Sequence, residues 1–258
     1  MSLRGGGLRI RAVTFDAAGT LIEPSEPVGE TYARIARACG LAVDAELLET
    51  RFREAYGSAP PLCFPRLPQA ELAQAERRWW RDIVGRVFAD FPAAKVDVVF
   101  ERLFSHYAQG AAWHVFPDVW PTLQALQERG AVLGIVSNFD SRLFNVCAEL
   151  GLEPVFRTIV VSSRVGFAKP NPGIFRRALN ELGARAEESL HVGDSWGDDV
   201  GGAEAARMWA LCVDRTRPAR GQWIDDLRAV IPWLDQFEYG SRRAITEPMP
   251  APRTDRAK

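Results

Sequence analysis

The 258 residues predict an α/β fold, a parallel sheet with helices on both faces, interrupted after its first strand by a helical insertion. Three observations carry this expectation. Short apolar runs rich in strand formers alternate with segments of helical spacing, the rhythm of right-handed βαβ units. The runs are apolar along their whole length, as in strands covered on both faces. The stretch 24–112 breaks the rhythm, with helical patterns and few strand signals.

The elements follow in order. Residues 1–7 read as a flexible leader, and 10–16 as a strand too short to be a helix. Within 24–112, Tyr32, Ile35, Ala36 and Cys39 share one helical face, as do Leu47, Leu48 and Phe52. Pro60, Pro61, Pro65 and Pro68 mark a long loop, and 57–68 is a candidate for facing a site. A strand precedes this stretch, so it is an insertion rather than a separate leading domain. Helix 117–129 presents Val119, Leu123 and Leu126 and stops at Gly130. Strand 131–138, helix 141–150 ending at Gly151, and strand 157–162 with its β-branched run come next. Helix 171–182 carries Pro172 in its first turn, where a missing N–H is harmless. Strand 189–193, helix 199–208 and a last strand, 209–214, complete the pattern. The expected division is a core of 8–23 and 113–240, an insertion of 24–112, and flexible ends at 1–7 and 241–258.

Composition excludes several function classes. The formal net charge is -1 and there is no basic block, which argues against nucleic acid or an anionic membrane as partner. No apolar run approaches the ~18 residues of a spanning helix. Cys39, Cys63, Cys147 and Cys212 are scattered, which suits free thiols in a reducing cytoplasm. His106, His114 and His191 lack zinc spacing and read as structural or surface residues. Lysine is confined to Lys95, Lys169 and Lys258, so each stands out against an arginine-rich background.

Four polar clusters fall just after four of the expected strands: Asp16; Ser137-Asn138; Lys169; and Asp194 with Asp198 and Asp199. Open α/β sheets bind ligands at those strand ends. The set suits phosphoryl transfer. A carboxylate attacks phosphorus, while a lysine, a hydroxyl and a backbone N–H neutralise or hold the oxygens. Paired acids suit Mg²⁺, a hard ion that takes oxygen ligands.

Four stretches carry a resemblance: Phe15-Asp16-Ala17-Ala18-Gly19-Thr20-Leu21, Val136-Ser137-Asn138, Ala168-Lys169-Pro170, and Gly193-Asp194-Ser195-Trp196-Gly197-Asp198-Asp199. In these the chain resembles the haloacid dehalogenase-like (HAD) hydrolase superfamily, over about 9–237. Val28-Gly29-Glu30-Thr31-Tyr32, Arg78-Trp79-Trp80 and Ser137-Asn138-Phe139-Asp140 bring it nearest to the branch of the domain-containing protein 3. The resemblance implies a Rossmann-like core and a C1-type helical cap. It implies Asp16 as nucleophile and metal ligand, the Ala18 carbonyl as a second ligand, and Asp194 and Asp199 as anchors of Mg²⁺, with Asp198 an alternative to Asp199. Thr20 would support the turn of the phosphate site, Ser137 and Asn138 would bind phosphate, and Lys169 would orient Asp16 and neutralise charge. A small phosphorylated metabolite is the implied substrate, and a monomer or homodimer in the cytoplasm the expected state.

The chain departs from the pattern at Ala18, where the phosphatases of the superfamily carry a second Asp as general acid and base. Three readings follow. One is a phosphatase limited to leaving groups that depart unprotonated, such as aryl or acyl phosphates. Another is cleavage of a different bond: a C–P hydrolase needs a cap lysine, and only Lys95 offers one, while the metal-free dehalogenases lack the acid that Asp194 supplies. The third is a weak or inactive phosphate-binding or regulatory protein on this scaffold. The paired Trp79 and Trp80 suggest a stacking surface, although packing of at least one inside the helical unit is the simpler expectation.

Overall fold

The computed structural model describes residues 9–239; the expected flexible ends, 1–7 and 241–258, lie outside the described residues. Strand β1 (Ala12–Phe15) and the short β2 (Ile22–Pro24) lead into four helices, α1 (Val28–Ala38), α2 (Ala45–Gly57), α3 (Leu72–Val87) and α4 (Ala93–His106). The chain returns through β3 (Trp113–Val115) to α5 (Val119–Glu128), β4 (Val132–Ser137), α6 (Arg142–Glu149) and β5 (Thr158–Val161). Then come α7 (Ser162–Val165), α8 (Pro172–Leu182), β6 (Ser189–Gly193), α9 (Gly202–Ala205), β7 (Trp209–Val213), β8 (Trp223–Ile224) and α10 (Val230–Tyr239).

Six strands form a parallel sheet in the order β5-β4-β1-β6-β7-β8. The chain builds outward from β1 on one side, then crosses to build the other. β1 therefore lies at the switch point, where neighbouring strand ends diverge and leave a crevice. Phe15 is level with Ile135 of β4 and Val192 of β6, so the residues that follow these three strands meet at one edge.

Burial explains the apolar strands. Val13, Phe15, Ile135, Val192 and Leu211 pack on one face with α5, α6 and α10. Val136, Val160, Ala210 and Cys212 pack on the other with Ile174 and Phe175 of α8 and Ala203 of α9. Helices α1 to α4 enclose a core of their own around Tyr32, Leu48, Ile83, Phe88 and Phe100. The N-cap of α2 is Asp44, whose carboxylate accepts the Leu47 N–H at 2.9 Å.

Three expectations need correction. The strand at 209–214 is not the last, because β8 adds to the edge of β7; at two residues it is too short to leave a periodic signal. The antiparallel pair β2 and β3, which brackets the four helices, was also not foreseen, for the same reason. The helix expected over 199–208 begins earlier and is irregular: one π-helical turn, Trp196–Gly201, precedes the single turn α9. Ser195 is the cause. Its hydroxyl accepts the Asp198 N–H and its carbonyl accepts the N–H of both Asp199 and Val200, which widens the turn.

Candidate active site

Strand ends position every acidic group of the site. Asp16 directly follows β1 and is anchored through its N–H to the Val192 carbonyl, at 2.9 Å. The tight turn after it folds back on the Ala17 carbonyl, which accepts from Thr20, Leu21 and Ile22. Gly19 sits at φ 90°, and a Cβ there would lie 2.5 Å from a carboxylate oxygen of Asp194, so only glycine fits. Asp194 follows β6. Asp199 folds back from the π turn onto the strand end, and its carboxylate fills the space that a Cβ on Gly193 would occupy, 2.1 Å from the Asp199 Cγ.

These carboxylates converge. Asp16, Asp194 and Asp199 each bring an oxygen within 4.8 Å of the others, an arrangement able to hold a metal ion. Asp198 lines the same cavity but is not part of this cluster, so geometry favours Asp199 of the two candidates. Lys169 is buried and donates to Asp16 Oδ1 at 2.7 Å and to Asp199 Oδ1 at 2.6 Å. Its loop is held by Asn138, whose side chain accepts the Lys169 N–H at 2.7 Å and donates to the Lys169 carbonyl at 3.0 Å. Ser137, Asn138 and Ala18 line the cavity above Asp16. Thr20 does not line it: it is buried, and its hydroxyl donates to Asp194 at 3.4 Å. Its place is behind the acidic cluster rather than against a bound phosphate.

Charge shapes the titration of the cluster. Burial lowers the pKa of Lys169, but Asp16 and Asp199 outweigh it, and the ammonium is held firmly protonated. Burial opposes ionisation of Asp199, yet Lys169 and His191 prevail and hold it well below the usual carboxylate range. Asp194 opens to the cavity, but the surrounding protein strips water from it. With Asp16 and Asp199 adding like charge, its pKa is pushed up to about 7. A divalent cation would relieve this repulsion.

The sign gives a test. The Asp194 carboxyl ionises above about pH 4 in the unfolded chain but only above about 7 when folded. The penalty on folding therefore builds between these values and is complete above them. In the presence of a chelator, Asp194→Asn is expected to stabilise the protein at pH 8 by about 1 kcal/mol, discounted for the solvent its side chain meets. That is about 2–4 °C in Tm, with no gain at pH 4. Coincident melts at pH 8 would contradict it.

A family model for haloacid dehalogenase-like hydrolases matches residues 10–207. The chain belongs to the haloacid dehalogenase-like hydrolase family. Haloacid dehalogenase-like hydrolase domain-containing protein 3 of Mus musculus is 36% identical over 246 residues, covering 91% of this chain and 97% of the relative. The similarity thus extends to the branch that the motifs indicate. A glyceraldehyde 3-phosphate phosphatase of Methanopyrus kandleri is 33% identical over 215 residues, 80% of this chain and 84% of its own. Among solved structures, a HAD phosphatase from Thermococcus onnurineus superposes with a TM-score of 0.61 at 26% identity, covering 87% of this chain and 98% of that one.

Beyond the family's motifs, this HAD hydrolase carries supports that the sequence reading missed. His191, on β6, is fully buried and bridges the Thr14 hydroxyl (2.8 Å) and Asp199 Oδ1 (3.0 Å), with Phe175 edge-on to its ring. Strand period was the available signal, since residues 191 and 193 share a face and Asp199 packs on that face. Arg215 donates to the carbonyls of Gly19 (3.1 Å) and Thr20 (2.9 Å) and pairs with the buried Asp118, which ties the turn after β1 to the start of α5.

The helical insertion is fastened to the core by helix α3. Glu76 Oε1 accepts from the Ser141 N–H (3.1 Å), the Ser141 hydroxyl (2.8 Å) and the Ser163 hydroxyl (2.7 Å). One turn further on, Trp80 Nε1 donates to Asp140 at 2.5 Å, and Asp140 also pairs with Arg142. Trp79 behaves differently: it stays within the insertion, donating to the Pro60 carbonyl at 2.8 Å. The loop 57–68 does not face the cavity. Its Leu62 carbonyl accepts from Ser162 at 2.6 Å, which seats the loop on the core beside α7. No helix among the described residues is long and apolar enough to cross a membrane.

Proposed function

We propose that the protein is a Mg²⁺-dependent hydrolase of a small phosphorylated molecule, acting through an aspartyl-phosphate on Asp16. The observation that carries this reading is the Lys169 ammonium between Asp16 and Asp199 at the switch point, with Asp194 within reach of both carboxylates. Asp16, Asp194, Asp199 and the backbone carbonyl of Ala18 are the groups assigned to the metal. When bound, it would offset the negative charge that otherwise sets a carboxylate nucleophile against an anionic substrate. Lys169 orients Asp16 through its ion pair and faces the transferring oxygens. Ser137 and the Asn138 N–H are assigned to those oxygens, and Thr20 to steadying Asp194. The insertion acts as a cap that keeps water out.

The insertion does not refill the gap at Ala18 with a competent acid. No Asp, Glu or His of the insertion lines the cavity among the described residues; its only ionisable neighbours there are phenols. Burial raises the pKa of each phenol, Tyr107 to about 12 and Tyr32 and Tyr56 in the same direction. A leaving group that departs as an anion suits this site. The alternative C–P reading finds no support, since Lys95 is exposed, bonded to the Gly40 carbonyl at 3.0 Å and absent from the cavity wall.

The test is turnover of acetyl phosphate and phenyl phosphate by chelated protein before and after Mg²⁺ is restored. Turnover is expected to fall by about 10²-fold or more on chelation and to return with Mg²⁺. Turnover indifferent to metal, or absent for both substrates, would remove the proposal and favour a phosphate-binding protein.

A further inference from the structure

We propose that the substrate is an aromatic phosphomonoester whose ring lies against the wall that the insertion presents to Asp16. This rests on the phosphoryl-transfer reading above and names its substrate class. Two independent observations meet in it, one at the wall of the cavity and one at position 18.

The cavity above Asp16 holds about 340 Å³ and extends up into the helical insertion. This is at the lower end of the roughly 300–1,000 Å³ of small-molecule sites. Charge is confined mainly to its floor. The upper wall is aromatic: Tyr56, Trp80, Phe104, Tyr107, Trp113 and Phe139 all face it. The polar atoms of that wall are mostly engaged elsewhere. Trp80 Nε1 is bonded to Asp140 (2.5 Å), and Trp113 Nε1 to the Tyr107 carbonyl (3.2 Å). The guanidinium of Arg142 is paired with Asp140 and bonded to the Phe104 carbonyl, and it lies over the Phe104 and Trp80 rings at 4.1 and 4.9 Å. A polyol or carboxylate tail entering here would give up water for almost no replacement bonds. A flat ring loses little and gains stacked and edge contacts. Among the buried side-chain polar atoms of the described residues, one lacks a hydrogen-bond partner. The Tyr107 hydroxyl is buried beside Thr31 without a well-formed hydrogen bond, and offers a donor to a polar ring substituent.

The second observation is chemical. With Ala18 at that position and no carboxyl or imidazole group on the insertion's side of the cavity, a leaving oxygen that carries its own charge away suits the site, and a phenolate, with conjugate acid near a pKa of about 10, does so readily. In the reaction an Asp16 carboxylate oxygen bonds to phosphorus as the P–O(aryl) bond breaks, and the phenolate leaves with the electron pair. Water then attacks the aspartyl-phosphate, and the P–O(Asp16) bond breaks to restore the carboxylate. One proton of that water passes to the phenolate, giving phenol and hydrogen phosphate. Acyl phosphates also leave unprotonated, but a small polar acyl group leaves the aromatic wall unfilled.

Four substrates separate the two observations in the Mg²⁺-loaded protein: 1-naphthyl phosphate, acetyl phosphate, glyceraldehyde 3-phosphate and 2-(1-naphthyl)ethyl phosphate. The naphthyl ester is expected to have at least tenfold the kcat/KM of acetyl phosphate, through a lower KM. The naphthylethyl ester is expected to match its KM but to turn over at least a hundredfold more slowly. A calorimetric titration of Asp16→Asn protein adds a readout independent of turnover. It should bind 1-naphthyl phosphate at least thirtyfold more tightly than inorganic phosphate, and Tyr56→Ala in that background should narrow the ratio at least threefold. If acetyl or glyceraldehyde 3-phosphate equals the naphthyl ester in kcat/KM, or the two titrations coincide, the aromatic assignment is overturned while phosphoryl transfer stands. If none of the four is hydrolysed, phosphoryl transfer falls and this assignment with it.

Discussion

Asp16→Asn is expected to lower turnover of every phosphate ester by about 10⁴-fold or more while leaving the fold intact. The amide keeps the shape of the side chain but cannot attack phosphorus, and the other two carboxylates of the cluster are engaged. Asp199 is engaged by Lys169, His191 and the Ser195 N–H, and Asp194 accepts from Thr20. Breaking a buried ion pair ordinarily costs about 3–5 kcal/mol, because it strands the surviving charge. Here that cost is muted, since Lys169 retains Asp199 at 2.6 Å and the cluster loses one of three mutually repelling carboxylates. Thermal melts within a few degrees of the wild type, with no acid-stable phosphoprotein after quenching, are the paired results to look for. Turnover that survives the substitution would place the chemistry at another site.

The second large effect runs the other way. Ala18→Asp is expected to raise kcat/KM for alkyl phosphates by about 10²–10⁴-fold, the usual worth of positioned proton transfer. Aryl phosphates should change only a few-fold, because their leaving group needs no proton. The position suits the purpose. Ala18 lines the cavity two residues beyond Asp16, and no described residue of the insertion supplies an acid of suitable pKa there. The assay belongs at saturating Mg²⁺, so that an added carboxylate does not act merely by changing metal affinity. Equal gains on aryl and alkyl esters, or none with an unchanged Tm, would show that proton delivery is not what limits this protein.

Both predictions act on the turn that follows β1. The proposed nucleophile was legible as soon as an apolar run ended in Asp16 and a Gly-Thr turn, because strand, turn and carboxylate are adjacent in sequence. Lys169 was legible for another reason, its rarity in an arginine-rich chain. The preference for Asp199 over Asp198 rested on the resemblance alone. Neighbouring carboxylates cannot be separated by spacing when the turn that carries them departs from the regular helix. Ser195 widens that turn, and only the folded backbone shows which acid returns to the strand end. The wall of the cavity was likewise hidden. Trp79 and Trp80 look equivalent in sequence, yet one bonds within the insertion and the other reaches across to Asp140.

What the sequence by itself determined is the parallel α/β architecture, the helical insertion after its first strand, and the delivery of Asp16, Ser137 and Asp194 to strand ends. These follow from local periodicity, in which each residue's role depends on neighbours a few positions away. Only the tertiary structure decided which carboxylates converge, how His191 and Arg215 support them, and what surface the insertion turns toward Asp16. The reason is the reach of those contacts. Glu76 meets Ser163 across 87 positions, and Arg215 meets Thr20 across 195, and no local pattern encodes partners that only packing brings together.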